Sequence, residues 1–402
     1  MKLRLLFLDD EPLALQGLQR MLRNMRDSWD MVFVESGTRA LDLMMQAPVD
    51  LVVTDMLMPG MNGAQFLNEV RRHYPQTARL ILSGHADREL ILQCVGSAHQ
   101  YLSKPCQPER LKEVLIRVCR LIESLRGAAM VARTLNQIDR APSVPSNYIE
   151  IVETLLNAEA SMDDVTAIAA KDPGIAATVL KLVNSPFFGA GREISDVAKA
   201  VSCLGLETLR ALVFNVNAFS RFEFVGLREL QIDAWAQENL RVAVVARRIA
   251  QAENADAKTC QDAYTAGLLH EIGALVMASH FPEKYSDAVT LAKDRRMELG
   301  AAETQVLGVS DAVAGAHLLG LWGLPAAVVE AVESHLSPGQ APSSSFCAVT
   351  AVHVAKALVV GRSKTEHELP APAIDEDYLA QLGLANRLPA WRQCAFEDTL
   401  DG

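Results

Sequence analysis

Short apolar runs alternate with helix-period segments over the first hundred residues: LRLLFL then PLALQGLQRMLRNM, MVFV then TRALDLMMQA, DLVVTDM then GAQFLNEVRRHY, ARLILS then DRELILQCVG, and finally QYLSK. Apolar runs this short, interleaved with helices, mark strands buried on both faces of a parallel sheet. The pattern predicts a doubly wound α/β unit around a five-stranded parallel sheet. From Pro108 onward, Leu111, Val114, Val118, Leu121, Leu125, Ala128, Ala132, Leu135 and Ile138 recur every three or four residues, which reads as one long amphipathic helix leaving that unit. The two prolines of APSVPSN (141–147) end it. Residues 148 to about 360 keep a helical period throughout, with SMDD (161–164) fitting a capping pattern and Asp172-Pro173 an N-cap followed by the residue favoured at the first helical position. An all-α second unit is expected there. SPGQAPSSS (337–345) reads as a loop, and the stretch beyond Gly361, rich in proline and acids, as a loosely attached tail. The resulting division is 1–122, a helical linker over 123–145, 146–360, and a tail over 361–402.

A length of 402 residues suits two or three domains, and a hydrophobic share of 50% suits folded cores. The formal net charge of −11 argues against a surface built to hold nucleic acid. The seven cysteines are scattered with no C-x-x-C pair, as expected of reduced thiols in the cytoplasm. Acids interrupt the apolar N-terminal run after Leu8, too early for a signal peptide, and no apolar stretch approaches the ~20 residues of a membrane helix. A cytoplasmic protein with no membrane partner is the expectation.

The chemistry-bearing residues of the first unit sit where strands end. Asp9 and Asp10 follow the first strand, Asp55 the third, Ser83 closes the fourth and Lys104 follows the fifth. In a doubly wound sheet these positions share one edge. Three carboxylates gathered at one point repel each other unless a cation sits among them, and a hard oxygen-seeking ion such as Mg²⁺ is the expected one. A lysine and a hydroxyl beside them are what phosphoryl transfer to a carboxylate needs. DDE (9–11), DMLMPGMNG (55–63), LSG (82–84) and YLSKP (101–105) together resemble the receiver domain of two-component response regulators over about 120 residues. The resemblance implies that Asp55 is the phosphoacceptor, and that Asp10, Asp55 and the main-chain carbonyl of Leu57 ligate Mg²⁺, with Asp9 holding it through water. It further implies that Ser83 and Lys104 bind the phosphoryl oxygens and that Tyr101 is the aromatic that turns inward when they are engaged. Lys104-Pro105 is a candidate cis bond.

In the second unit, DPGIAATVLKLVNSPFFG (172–189), GLLHEIG (267–273) and AGAHLLGLWGLP (314–325) resemble the HDOD domain, an all-helical relative of the HD metal-dependent phosphohydrolases that is usually regarded as non-catalytic. An active HD site holds its ion with an early histidine, the His-Asp pair and a late Asp. Here Gln237, Glu238 or Asn239 stands in the early position, the pair is His270-Glu271, and Lys356 stands where the late Asp is expected. An ammonium in such a site repels a dication. The expectation is an ion-paired relic in which Lys356 holds Glu271, Asp311 and His335, with His270 a hydrogen-bonded core histidine. His280, His317 and His353 are expected in core or surface roles, Trp322 with Phe187 and Phe188 in the core, and the pairs Arg247-Arg248 and Arg295-Arg296 on solvated faces.

These resemblances imply a response regulator, not an enzyme. A sensor histidine kinase would be its phosphodonor, a further signalling protein its downstream partner, and the receiver with the linker helix a surface for a homodimer. The alternative is a metal-dependent cyclic di-GMP phosphodiesterase of HD-GYP type. Against it stand the missing early histidine, Lys356, the absence of a GYP signature, and Ala274 where that family carries a lysine.

Overall fold

The structure, a computed structural model, describes residues 2–84, 97–138, 141–157, 159–185, 193–215, 220–221, 232–361, 370 and 372–396. By internal contacts the chain divides into two compact units. One comprises Met1–Arg140 with Lys181–Arg192 and Gly320–Gly323, the other Ala141–Leu180, Glu193–Leu319 and Leu324–Gly402.

The first unit is built on strands β1 (Leu3–Leu8), β2 (Trp29–Val34), β3 (Leu51–Thr54), β4 (Ala78–Ser83) and β5 (Gln100–Ser103), all parallel, in the order β2-β1-β3-β4-β5. Every residue of β3 is buried, as its unbroken apolar sequence requires of a central strand covered on both faces. Helix α1 (Pro12–Met21) follows β1, α2 (Gly37–Gln46) follows β2 and α3 (Gly63–His73) follows β3. Ser36 caps α2 by accepting from the Arg39 amide, and Asn62 with Gln65 forms a reciprocal capping box at α3. Phe66, Leu67 and Val70 of α3 pack with Leu6, Val52, Ile81 and Tyr101 in the core. The register sets Leu8 beside Val34 on one side and Thr54 on the other, and Ser83 beside Ser103. The residues that follow β1, β3 and β5 therefore emerge along one edge. The segment DRELILQCVG expected as a helix lies outside the described residues.

The long helix expected from Pro108 is two helices, α4 (Pro108–Ser124) and α5 (Ala129–Leu135). Between them the hydrogen bonds tighten to three-residue spacing, Arg126 N–H to Glu123 and Ala128 N–H to Leu125. Gly127, a poor helix former, sits in this turn. The apolar stripe survives the break: Leu121, Leu125, Ala128, Val131 and Leu135 are all buried. The end of α5 is tied to the sheet. The buried guanidinium of Arg79 donates to the carbonyls of Thr77, Ser97 and Asn136, and Asn136 Nδ2 donates to the Gln76 carbonyl.

The second unit is helical apart from a two-residue parallel pairing of β6 (Pro142–Ser143) with β7 (Ser220–Arg221), too short to leave an alternating pattern in the sequence. Its helices begin with α6 (Pro145–Leu156), α7 (Met162–Lys171), α8 (Pro173–Val183), α9 (Val197–Leu204) and α10 (Leu206–Asn215). They continue with α11 (Ile232–Ala252), α12 (Ala257–Leu269), α13 (Ile272–His280), α14 (Pro282–Arg295), α15 (Leu299–Leu307), α16 (Asp311–Leu321), α17 (Ala326–Ser334) and α18 (Ala348–Val360). Ser161 and Asp164 form the capping box expected for α7, and Asp172 Oδ1 accepts from the Ile175 amide at the start of α8. Two glycines let helices meet backbone to backbone. A Cβ on Gly267 would lie 2.7 Å from Ala243 Cα, and one on Gly273 would collide with the Asp311 carbonyl. NSPFFG, with Phe187 and Phe188, falls largely outside the described residues.

The expected loose tail is instead packed. Helices α19 (Glu376–Gln381) and α20 (Leu388–Phe396) bury Tyr378, Leu379 and Trp391. Trp391 Nε1 and Arg387 both donate to Glu253, and the hydroxyls of Tyr378 and Thr350 lie 2.7 Å apart. Helices of six and nine residues, held by partners distant in sequence, are too short to give a clear periodic signal.

Candidate functional site

At the edge where β1, β3 and β5 end, Lys104 reaches across to two carboxylates. Its Nζ lies 2.6 Å from Asp9 Oδ2 and 2.5 Å from Asp55 Oδ1. The opposite oxygens are held by main chain: Asp9 Oδ1 accepts from the Glu11 amide at 3.0 Å, and Asp55 Oδ2 from the Leu57 amide at 2.8 Å. Asp55 itself is fixed by its own amide donating to the Leu8 carbonyl. Burial draws the Lys104 pKa down, but hydrogen bonds and charge from Asp55 and Asp9 outweigh it and leave it raised, so the ammonium form is locked in. Asp10 stands half-buried at the same strand end, and Glu11 occupies the N-cap of α1 without bonding it through its side chain. These acids are therefore not consumed in capping.

Backbone economy shapes the pocket. Gly63 packs against the Asp55 carbonyl so closely that any Cβ would collide with it, and its amide donates to Met56 at 2.9 Å. Gly60 takes a positive φ of 76°, the left-handed region that glycine adopts without strain. Both glycines lie within DMLMPGMNG, and their positions explain why the motif carries them. Tyr101 is buried in the core beneath this edge, and Lys104-Pro105 is cis. Ser83 ends β4 level with Ser103, while its side chain lies outside the described residues. Leu57 is exposed beside Asp55.

In the second unit a buried lysine again lies between two carboxylates. Lys356 Nζ, on α18, is 2.5 Å from Glu271 Oε1 and 3.3 Å from Glu238 Oε1 of α11. Of the three candidates for the early position, Glu238 is the one that faces the cluster. Burial would raise the Glu271 pKa, yet the Lys356 charge overrides it and holds it at about 2. His270 and His335, at the ends of α12 and α17, stand edge to face 5.0 Å apart. Each points Nδ1 at the carbonyl three residues back, Gly267 at 2.7 Å and Val332 at 2.9 Å. A carbonyl only accepts, so both rings carry their proton on Nδ1. Burial, reinforced for His270 by the Lys356 charge, keeps both neutral: His270 falls well below its usual value and His335 to about 4.

Asp311 and His335 both depart from the expected set, since Lys356 bonds Glu271 and Glu238 and His335 bonds the Val332 carbonyl instead. The Asp311 amide donates to Glu303 Oε2 at 2.7 Å, and the two acids form a buried pair. Burial and the charge of Glu271 raise Asp311 to about 6, and burial with the charge of Asp311 raises Glu303 well above a normal carboxylate. Glu303 carried no motif signal, because an acid eight residues before Asp311 meets it only through the turn between α15 and α16. His353 takes a core role, as expected, donating from Nδ1 to the His335 carbonyl and accepting the Asp375 amide at Nε2. Trp322 is buried, as expected of a core aromatic. Among the described residues, no three His, Cys, Asp or Glu side chains converge in a metal-ligand arrangement.

Residues 5–116 match the response regulator receiver domain family and residues 141–338 match the HDOD domain family. The chain joins a receiver domain to an HDOD domain. That pairing supports reading the chain as a response regulator. An uncharacterized protein of Treponema pallidum (strain Nichols) is 29% identical over 213 residues, covering 53% of this chain and 41% of its own length. The hydrogenase transcriptional regulatory protein HoxA of Cupriavidus necator is 28% identical over 221 residues, covering 52% and 44%. The chain thus spans less than half the length of either relative. Among solved structures, the signal receiver domain of an HD domain-containing protein from Pseudomonas fluorescens Pf-5 is 30% identical over 31% of this chain and 99% of that one, with a TM-score of 0.30. No helix among the described residues is long and apolar enough to cross a membrane.

Proposed function

We propose that Asp55 accepts a phosphoryl group from a sensor histidine kinase and that the HDOD domain answers by binding or releasing a signalling protein, without catalysing a reaction itself. The observation that carries this reading is the contact of Lys104 with Asp9 and Asp55 at the strand ends. Attack by the Asp55 carboxylate forms an O–P bond as the P–N bond of a phosphohistidine breaks. The roughly −1.5 to −2 charge delivered needs a cation already in place, which Lys104 supplies. Ser83 would donate to the same phosphoryl oxygens and Tyr101 would pack behind them. Asp9 and Asp55 meet a part-exposed ammonium at this edge, and together with Asp10 and the Leu57 carbonyl they form an all-oxygen set of the kind that would hold Mg²⁺, which when bound would neutralise further phosphoryl charge.

The HDOD cluster fits a metal poorly. Lys356 fills the space between Glu271 and Glu238, so any dication would have to displace a buried, hydrogen-bonded ammonium. This supports a binding role over phosphodiester hydrolysis.

The test is acetyl phosphate with Mg²⁺, read by intact mass. Wild type should gain one phosphoryl group and Asp55→Asn none. An unmodified wild type, or equal labelling of the variant, would overturn the assignment, and cleavage of a cyclic dinucleotide by the purified full chain would overturn the non-catalytic reading.

A further inference from the structure

Two exposed surfaces of opposite charge remain outside the sites above. On the receiver domain, a concavity of about 390 Å³ is lined by Gln16, Gln19, Arg20, Arg23 and Arg26, every one a hydrogen-bond donor and none an acid. None of the three arginine side chains has an ion-pair partner among the described residues. In a chain of net charge −11, three unpaired guanidiniums in one hollow are a local reversal of sign. The patch lies at the far end of α1 from Asp55, because α1 starts beside the carboxyl end of β1 and runs back toward the amino end of β2. Along one face of α1, Leu13, Gln16 and Arg20 follow a helical period, Arg23 lies in the 3-10 turn just past its end, and Leu13 is 76% exposed.

On the HDOD domain, a groove of about 580 Å³ between α6 and α7 carries Glu150, Glu153, Glu159 and Asp164. Lys171 neutralises Glu150 at 2.7 Å, and Asp164 is occupied in the α7 capping box. Glu153 and Glu159 are left without a cation. Ile149, Glu153 and Leu156 share one face of α6, with Ile149 and Leu156 44% and 67% exposed. Each surface thus pairs an apolar anchor with one sign of charge on a solvent-facing helix, the arrangement by which one helix docks on another.

We infer that the α1 face of one copy docks on the α6/α7 groove of a second copy, arginines against glutamates and Leu13 beside Ile149 and Leu156. The contact joins two different surfaces, so it is head to tail and leaves a free surface at each end of the complex. Its charges are exposed, so salt screens it; the Debye length falls from roughly 10 Å at 0.1 M to 3 Å at 1 M.

Light scattering on the full chain tests this. The weight-average mass should exceed one chain at about 50 mM salt and fall at least about twofold toward it at about 500 mM. Arg20→Gln with Arg23→Gln, and separately Glu153→Gln with Glu159→Gln, should each give a monomer at low salt with an unchanged melting temperature. An equimolar mixture of the two variants should form a complex of two chains and nothing larger, since only one complementary pair of surfaces remains. A wild type that is monomeric at low salt, variants that still associate, or a mixture that stays monomeric would each overturn the inference.

Discussion

At the scale of single residues, the two lysine clusters show how solvent exposure divides one motif into two behaviours. Lys104 is 29% exposed and Lys356 only 9%, although each grips two carboxylates. The first can turn toward an arriving anion; the second has nowhere to turn. Lys356→Met should therefore destabilise the HDOD domain by roughly 3–5 kcal/mol, because it leaves Glu271 buried and unpaired. Adding Glu271→Gln should recover part of that loss, as urea unfolding would show; full stability in the single variant would mean the pair contributes nothing. Gly63→Ala should cost roughly 1–3 kcal/mol in the receiver domain by forcing a methyl group into the Asp55 carbonyl. Asp311 sets a pH dependence with a definite sign. Its folded pKa of about 6 lies above the ordinary 3.8, so the folded state holds the proton more tightly. That contribution is complete below the ordinary value and is lost as pH rises through about 6, with Glu303 acting in the same direction. Asp311→Asn should flatten the fall in melting temperature between acid and neutral pH, and an unaltered slope would remove Asp311 as its source.

Among the elements, the receiver strands were the most legible because a central parallel strand such as Leu51–Thr54 must be apolar along its whole length. The five positions at their carboxyl ends could be named from spacing alone, since strand ends share an edge whatever the loops do. Other features depended on contacts distant in sequence. The α4–α5 break left the stripe from Leu111 to Ile138 intact, so periodicity could not reveal it. Glu238 could not be chosen over Gln237 or Asn239 until α11 was seen packed on α12 and α18. The packing of the tail was not legible because the partners of Trp391 and Tyr378, Glu253 and Thr350, lie on helices distant in sequence. Trp391→Ala should thus lower HDOD stability by roughly 3–5 kcal/mol, the cost of emptying a closed aromatic site. A melting temperature equal to wild type would mean the tail is an appendage after all.

For the molecule as a whole, one domain is arranged to receive charge and the other to keep its own in balance. The receiver edge sets a part-exposed ammonium over the buried carboxylates of Asp9 and Asp55; the HDOD interior sets Glu238 and Glu271 against Lys356 and keeps His270 and His335 neutral. A signalling role then predicts a phosphorylation-dependent partner. Wild type treated with acetyl phosphate and the Asp55→Ala variant should retain different proteins from a cell extract, and identical sets would mean that position 55 does not govern binding. The position of Lys356 has one more consequence. A cation carried on a side chain arrives with translation, in one copy per chain, and no chelator can strip it nor any shortage of ions leave it vacant. The helical half of this protein holds its central positive charge by a covalent bond.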